Sequence, residues 1–200
     1  MIAEQKSAVL HLLGDQFWVE KKGDGISQNI TFICDKGRFK NLQLSLMGGF
    51  QVENGALAVA ACLHYALGAG KELSEEIIKS GLKNTSWDGR MEVVSSRPTV
   101  ILDSAHNPAA FKEVVESTQK LFSYARAIIV LGLMKDKPSN EILKILSNFG
   151  DQFILVRPNQ QRSEDPHRLK EILDQYKITC EVTENIPSAI RKLKQFVKPD

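Results

Sequence analysis

Asp103, His106 and Asn107 fall close together in the stretch TVILDSAHNPAAF, residues 99–111. A carboxylate in such a cluster can accept hydrogen bonds from a ribose, and a histidine can meet a phosphate or a carboxylate. Thr99, Val100, Ile101 and Leu102 read as a buried strand that ends at Asp103. Pro108 suits the first turn of a following helix, where its missing N–H costs nothing. The polar residues between would stand at the mouth of a sheet, beside a helix N-terminus that favours anions. The same residues also suit a plain turn, with Asp103 capping or turning the chain and His106 packing in a loop.

Other residue groups invite the same two-sided reading. In WDGRMEVV (87–94), Arg90 follows a turn and precedes a strand. Its fork of donors matches phosphate oxygens, and a surface ion pair with Asp88 or Glu92 is the plainer alternative. Trp87 reads as a packing residue at a junction. GGFQVENGALA (48–58) is a glycine turn into a helix that places Gln51 and Asn54 near the first turn. Such a turn can cradle an anion or read a base edge, or it can be only a turn. LGLMKDKP (131–138) ends another strand in Lys135, Asp136 and Lys137. GAGKELS (68–74) lacks the spacing of a phosphate-binding loop, and no G-x-x-x-x-G-K-[ST] occurs in the chain. His11, His64 and His167 show no metal-ligand spacing and read as structural or surface residues; no metal site is expected here.

Two kinds of element must position these residues. Residues 1–15 read as a helix with Ala8, Val9, Leu12 and Leu13 on one face. Alternation predicts three short antiparallel strands at about 17–20, 30–34 and 40–46, with Gly-containing turns between them. A helix is predicted at 52–67, ended by Gly68 and Gly70, and another after the N-cap Ser74. A hinge is placed at NTSWDGR. Beyond it, strands at 91–95, 99–102, 127–133, 152–156 and 178–182 alternate with helices at 108–122, 139–149, 166–176 and 187–197. That order predicts an α/β domain: a Rossmann-like, mostly parallel sheet with helices on both faces. Ligands bind such sheets beyond the carboxyl ends of the strands.

The bulk properties fit an ordinary globular chain of 200 residues, 42% hydrophobic and 25% charged. A net charge of +2 sets up no field for nucleic acid or an anionic membrane. No apolar run reaches the roughly 18 residues of a membrane span, and the N-terminus has no signal-peptide pattern. Cys34, Cys62 and Cys180 are odd in number and widely spaced, and read as reduced, buried thiols of a cytoplasmic protein.

Together and in this order, FQVENGALAVAA, WDGRMEVV, LDSAHNPAA and LGLMKDKP resemble the Mur ligase superfamily, in particular its folylpolyglutamate synthase/dihydrofolate synthase branch. Phe50, Asp88 and Ser104 depart from the usual histidine, proline and glycine of those motifs. The resemblance implies ATP-dependent joining of L-glutamate to a folate or dihydropteroate carboxylate through an acyl phosphate. It implies Asn54 near the adenine, Arg90 at the ATP phosphates, Asp103 at the ribose, and His106 near the phosphates and incoming glutamate. Arg90 and His106 would be the catalytic pair. Lys135, Asp136 and Arg162 receive no role. The family's P-loop and magnesium ligands are expected upstream of residue 1. Residues 1–86 would be the tail of a central ATP-binding domain, and 87–200 a whole C-terminal domain. As given, the chain is expected not to ligate, and residues 1–86 to expose apolar surface. Two alternatives stay open: another Mur-type amide ligase, such as one acting on a peptidoglycan precursor, and a stand-alone nucleotide-binding module.

Overall fold

The structure is a computed structural model that describes residues 2–23, 26 and 28–196. It divides into two compact units, Met1–Glu92 and Val93–Asp200. The first runs α1 (Ile2–Gln5), β1 (Phe17–Lys22), β2 (Gln28–Cys34), β3 (Gly37–Leu44), α2 (Phe50–Gly68) and α3 (Glu75–Asn84). The strands form an antiparallel sheet in the order β1-β2-β3, with Phe17 opposite Cys34 and Gln28 opposite Leu44. Alternation along β2 sends Ile30 and Phe32 inward, onto Leu42, Leu44 and the α2 residues Val52, Ala56, Val59 and Leu63. Full burial of each Val, Leu, Ile or Phe side chain among these stabilises by about 1.5–3 kcal/mol. Gly55 lets the helix come close, since a Cβ there would lie 2.9 Å from Leu44 Cδ2. Ser74 caps α3 by accepting from the Ile77 N–H.

The expected helix over 1–15 is a single turn. Met1 lies outside the described residues. α1 ends in a Schellman pattern: Ala8 N–H donates to the Ala3 carbonyl and Ser7 N–H to that of Glu4. Ser7 takes the left-handed conformation, φ 52°, that this cap requires. So short a helix has little to hold it without a packed face. Val9, Leu10 and Leu12 are exposed, and Leu13 alone of the expected face packs on the core. Part of the turn between the first two strands (24, 25 and 27) also lies outside the described residues.

The second unit holds β5 (Thr99–Leu102), α4 (Pro108–Leu121), β6 (Ile128–Leu131), α5 (Ser139–Ser147), β7 (Gln152–Val156), α6 (Pro166–Asp174), β8 (Thr179–Thr183) and α7 (Ile186–Phe196). β4 (Glu92–Ser96) begins at the division and pairs with β5 across the turn Arg97-Pro98. The last helix was expected to reach 197, which lies outside the described residues. β6, β7 and β8 form a parallel sheet in that order, with Ile128 opposite Gln152 and Gln152 opposite Thr179. Every residue of central β7 is buried. Its alternate side chains serve both faces. Phe153 and Leu155 meet Ile142, Leu143 and Leu146 of α5 and Leu169 and Leu173 of α6. Ile154 and Val156 meet Ala189 and Leu193 of α7. Helices therefore cover both faces, as the α/β reading expected.

One expectation fails here. β5 was read as a buried strand of the parallel sheet. It pairs with β4 instead, so only Val100 and Ile101 are half-buried, while Thr99 and Leu102 are exposed. A two-stranded ribbon gives its residues less cover than an interior sheet position.

Candidate functional site

Asn107, not Asp103, caps α4. Its Oδ1 accepts from the Ala110 N–H at 2.9 Å, and Pro108 occupies the first turn. Half-buried Asp103 makes an Asx turn, Oδ1 accepting from the Ala105 N–H at 2.7 Å. Ala105 packs on the cluster that holds Leu131 and Leu133, which anchors the loop against the parallel-sheet unit. His106 is exposed, with Nδ1 3.1 Å from the Ser104 carbonyl oxygen. A carbonyl only accepts, so this contact is a hydrogen bond when Nδ1 carries the hydrogen; Nε2 is then the nitrogen turned to a ligand. The loop thus presents a carboxylate and an imidazole at the entry to a capped helix.

Asn54 and Arg90 belong to the first unit. Asn54 is exposed near the start of α2, and its Nδ2 donates to Gln51 Oε1 at 3.1 Å. Gln28, fully buried, donates through Nε2 to the Gly48 carbonyl at 2.8 Å and steadies the turn before α2. Gly48 has φ 107°, and a Cβ there would lie 3.1 Å from Met91 Sδ. Met91 is fully buried with φ 47°, which sets the backbone of its neighbour Arg90 next to the same turn. Glu92 bonds to the Gly89 N–H at 2.8 Å. The structure therefore brings the Gly48 turn and the Arg90 segment together at one end of α2. Trp87, expected to pack, is 65% exposed.

The exits of β6 and β7 are fused in a way that spacing could not reveal. Lys135 N–H donates to the Arg162 carbonyl and Glu164 N–H to that of Leu133, both at 2.9 Å, and Met134 bridges Ser163. Buried Ser163 donates from Oγ to the Pro158 carbonyl. Buried Glu164 accepts from Arg168 at 3.2 Å. Lys135, Asp136, Lys137 and Arg162 are held on one ledge at the carboxyl edge of the parallel sheet. The Lys137 ammonium, 2.7 Å from Asp136, holds that carboxyl below its usual range, and the Arg162 charge adds to the effect. A shallow groove of about 630 Å³ lies further along this edge, between Arg157–Gln161 and Glu184–Pro187.

Among the described residues no three His, Cys, Asp or Glu side chains gather to hold a metal ion. No described helix is long and apolar enough to cross a membrane. The cysteines are free, but Cys62, expected buried, is exposed because it lies on the outer side of α2.

The fold is an α/β unit whose loops gather at the carboxyl edge of a parallel sheet. The chain belongs to the Mur ligase family: the Mur ligase, glutamate ligase domain matches residues 89–200. A dihydrofolate synthase/folylpolyglutamate synthase of Bacillus subtilis is 30% identical over 60% of this chain and 28% of its own length. Escherichia coli FolC, solved with ADP and again with DHPP and ADP, is 26% identical with a TM-score of 0.85. There the match covers 99% of this chain and 44% of that one. A UDP-N-acetylmuramoyl-L-alanyl-D-glutamate–2,6-diaminopimelate ligase of Aquifex aeolicus is 34% identical over 71% of this chain and 29% of its own length. The chain therefore spans less than half the length of these relatives.

Proposed function

We propose that the chain is the nucleotide-closing part of an ATP-dependent ligase that joins L-glutamate to a folate or dihydropteroate carboxylate. The observation that carries the reading is the Asp103–Asn107 loop. It offers Asp103 and His106 at the head of capped α4, in a fold shared with an ADP-bound folate enzyme. The acceptor carboxylate attacks the γ-phosphorus of ATP, and ADP leaves. The glutamate amine then attacks the acyl carbon and expels phosphate. In this scheme Asn54 borders the adenine and Asp103 accepts from ribose hydroxyls. Arg90 stabilises charge on the phosphoryl oxygens. Nε2 of His106 donates to a phosphate when protonated and takes an ammonium proton when neutral. Magnesium would offset phosphate charge. The described residues offer no cluster fit to hold it, so its ligands are assigned to the remainder of the ligase. We place the protein in the cytoplasm on its unpaired cysteines. We also take the segment around 87 as the domain boundary, which agrees with a family match beginning at 89.

The test uses the ligase at full length, with radiolabelled glutamate and dihydropteroate, tetrahydrofolate or a UDP-muramoyl peptide as acceptor. A folate-type acceptor alone is expected to be consumed; turnover of the muramoyl peptide alone would move the reading to the cell-wall branch. Asp103→Ala is expected to raise the KM for ATP at least tenfold. Arg90→Ala and His106→Ala are expected to lower kcat by about 10²-fold or more. Unchanged ATP kinetics in all three would remove these residues from the site.

A further inference from the structure

Eight residues of α2 are buried, and Gln51 alone among them carries a polar side chain. The rest of that face packs on the antiparallel sheet through Val52, Ala56, Val59 and Leu63. A buried amide costs stability unless it is hydrogen-bonded, so a glutamine only 6% exposed in this position calls for a reason. Its partner is exposed Asn54, one turn along the helix: Asn54 Nδ2 donates to Gln51 Oε1 at 3.1 Å. The backbone beneath is held as well. The Gly48 carbonyl accepts from Gln28 Nε2 at 2.8 Å and from the Gln51 N–H at 3.1 Å. A buried side chain on a fixed turn thus serves an exposed one.

That contact decides which way round the Asn54 amide stands. One hydrogen on Nδ2 goes to Gln51, and Oδ1 and the second hydrogen remain for a ligand. An acceptor beside a donor matches the amino group and the neighbouring ring nitrogen of adenine. Turned over, the amide would set Asn54 Oδ1 against Gln51 Oε1, oxygen against oxygen. A purine with a carbonyl in place of the amino group would need that reversed amide. We infer that Gln51 is a positioning residue that locks the Asn54 amide with its oxygen free for the base, and that the lock selects a 6-aminopurine nucleotide over a 6-oxopurine one. The inference rests on the reading above, in which Asn54 borders the adenine.

The test uses the ligase at full length, with ATP and inosine triphosphate as alternative nucleotides. The native enzyme is expected to favour ATP in kcat/KM by at least about tenfold; no preference overturns the inference. Gln51→Met keeps the length of the side chain and removes its acceptor. It is expected to erase most of the preference, through KM and not through kcat. Gln51→Glu supplies an acceptor again and is expected to restore the preference. A preference unchanged in Gln51→Met, or lost equally in both variants, overturns the lock. A purely structural role for Gln51 would lower the urea midpoint and leave the ratio of the two nucleotides where it was. Should Gln51→Met fail to fold, Asn54→Asp decides: its carboxylate only accepts, so the preference for ATP is expected to persist, and its loss overturns the inference. Displacement of a fluorescent ADP analogue by ADP and by inosine diphosphate, on the same preparations, separates the two ideas. A preference that follows Gln51 in an enzyme that ligates no glutamate sinks the ligase reading and leaves the lock.

Discussion

Asp103 shows how much a single residue's role depends on what its two carboxylate oxygens meet. The Ala105 N–H engages Oδ1 and fixes the carboxylate's direction, while the capping role that the sequence also allowed falls to Asn107. Glycines and cysteines give sharper tests at this scale. Gly48→Ala would force a Cβ to within 2.6 Å of Phe50 Cε1 at φ 107°. A loss of roughly 1–3 kcal/mol is expected in urea unfolding; an unchanged midpoint would mean that the turn before α2 yields freely. Burial pushes the Cys180 thiol up to about 11, above its ordinary value. At pH 8 only roughly a thousandth of it is thiolate, so it should react with Ellman's reagent far more slowly than exposed Cys62. Equal rates at the two sites would contradict the burial of Cys180.

Helix caps and strand faces decide the elements. Asn107→Ala removes the acceptor for the Ala110 N–H and is expected to cost about 1 kcal/mol, read by chemical denaturation. Ser74→Ala should act similarly on α3. The Ser74 cap was legible, because Ser before a Glu-rich first turn carries local information, whereas at α4 the sequence offered Asp103 and the cap is Asn107. Leu155→Ala strips a fully buried side chain from the face under α5 and α6, and a loss of about 2–5 kcal/mol is expected. The short α1 and the exposed rim of β5 were not legible. Apolar spacing predicts which residues would face a core, but not whether a packing partner is there to hold them.

For the molecule as a whole, chain length matters more than charge. No glycine-rich phosphate loop occurs in these 200 residues, and the matched relatives are more than twice as long. Incubation of the isolated chain with ATP, glutamate and dihydropteroate is therefore expected to give no product above a no-enzyme blank. Measurable ligation would show that the residues here suffice for chemistry. The exposed apolar side of α2 belongs to this scale as well: apolar surface was expected on residues 1–86, and Leu57, Tyr65, Val9 and Leu12 are exposed.

The sequence by itself determined the alternation of strand and helix after residue 87, the antiparallel strands before it, the cap at Ser74, and the motifs that pointed to the family. These are local or periodic properties, carried by neighbouring residues and by spacings of two and three to four. Only the tertiary structure decided that β5 leaves the parallel sheet, that Lys135 and Arg162 share one ledge, and that Met91 packs on Gly48 beside Arg90. Each depends on contacts between segments tens of residues apart, and no local pattern encodes which distant backbone will supply the partner.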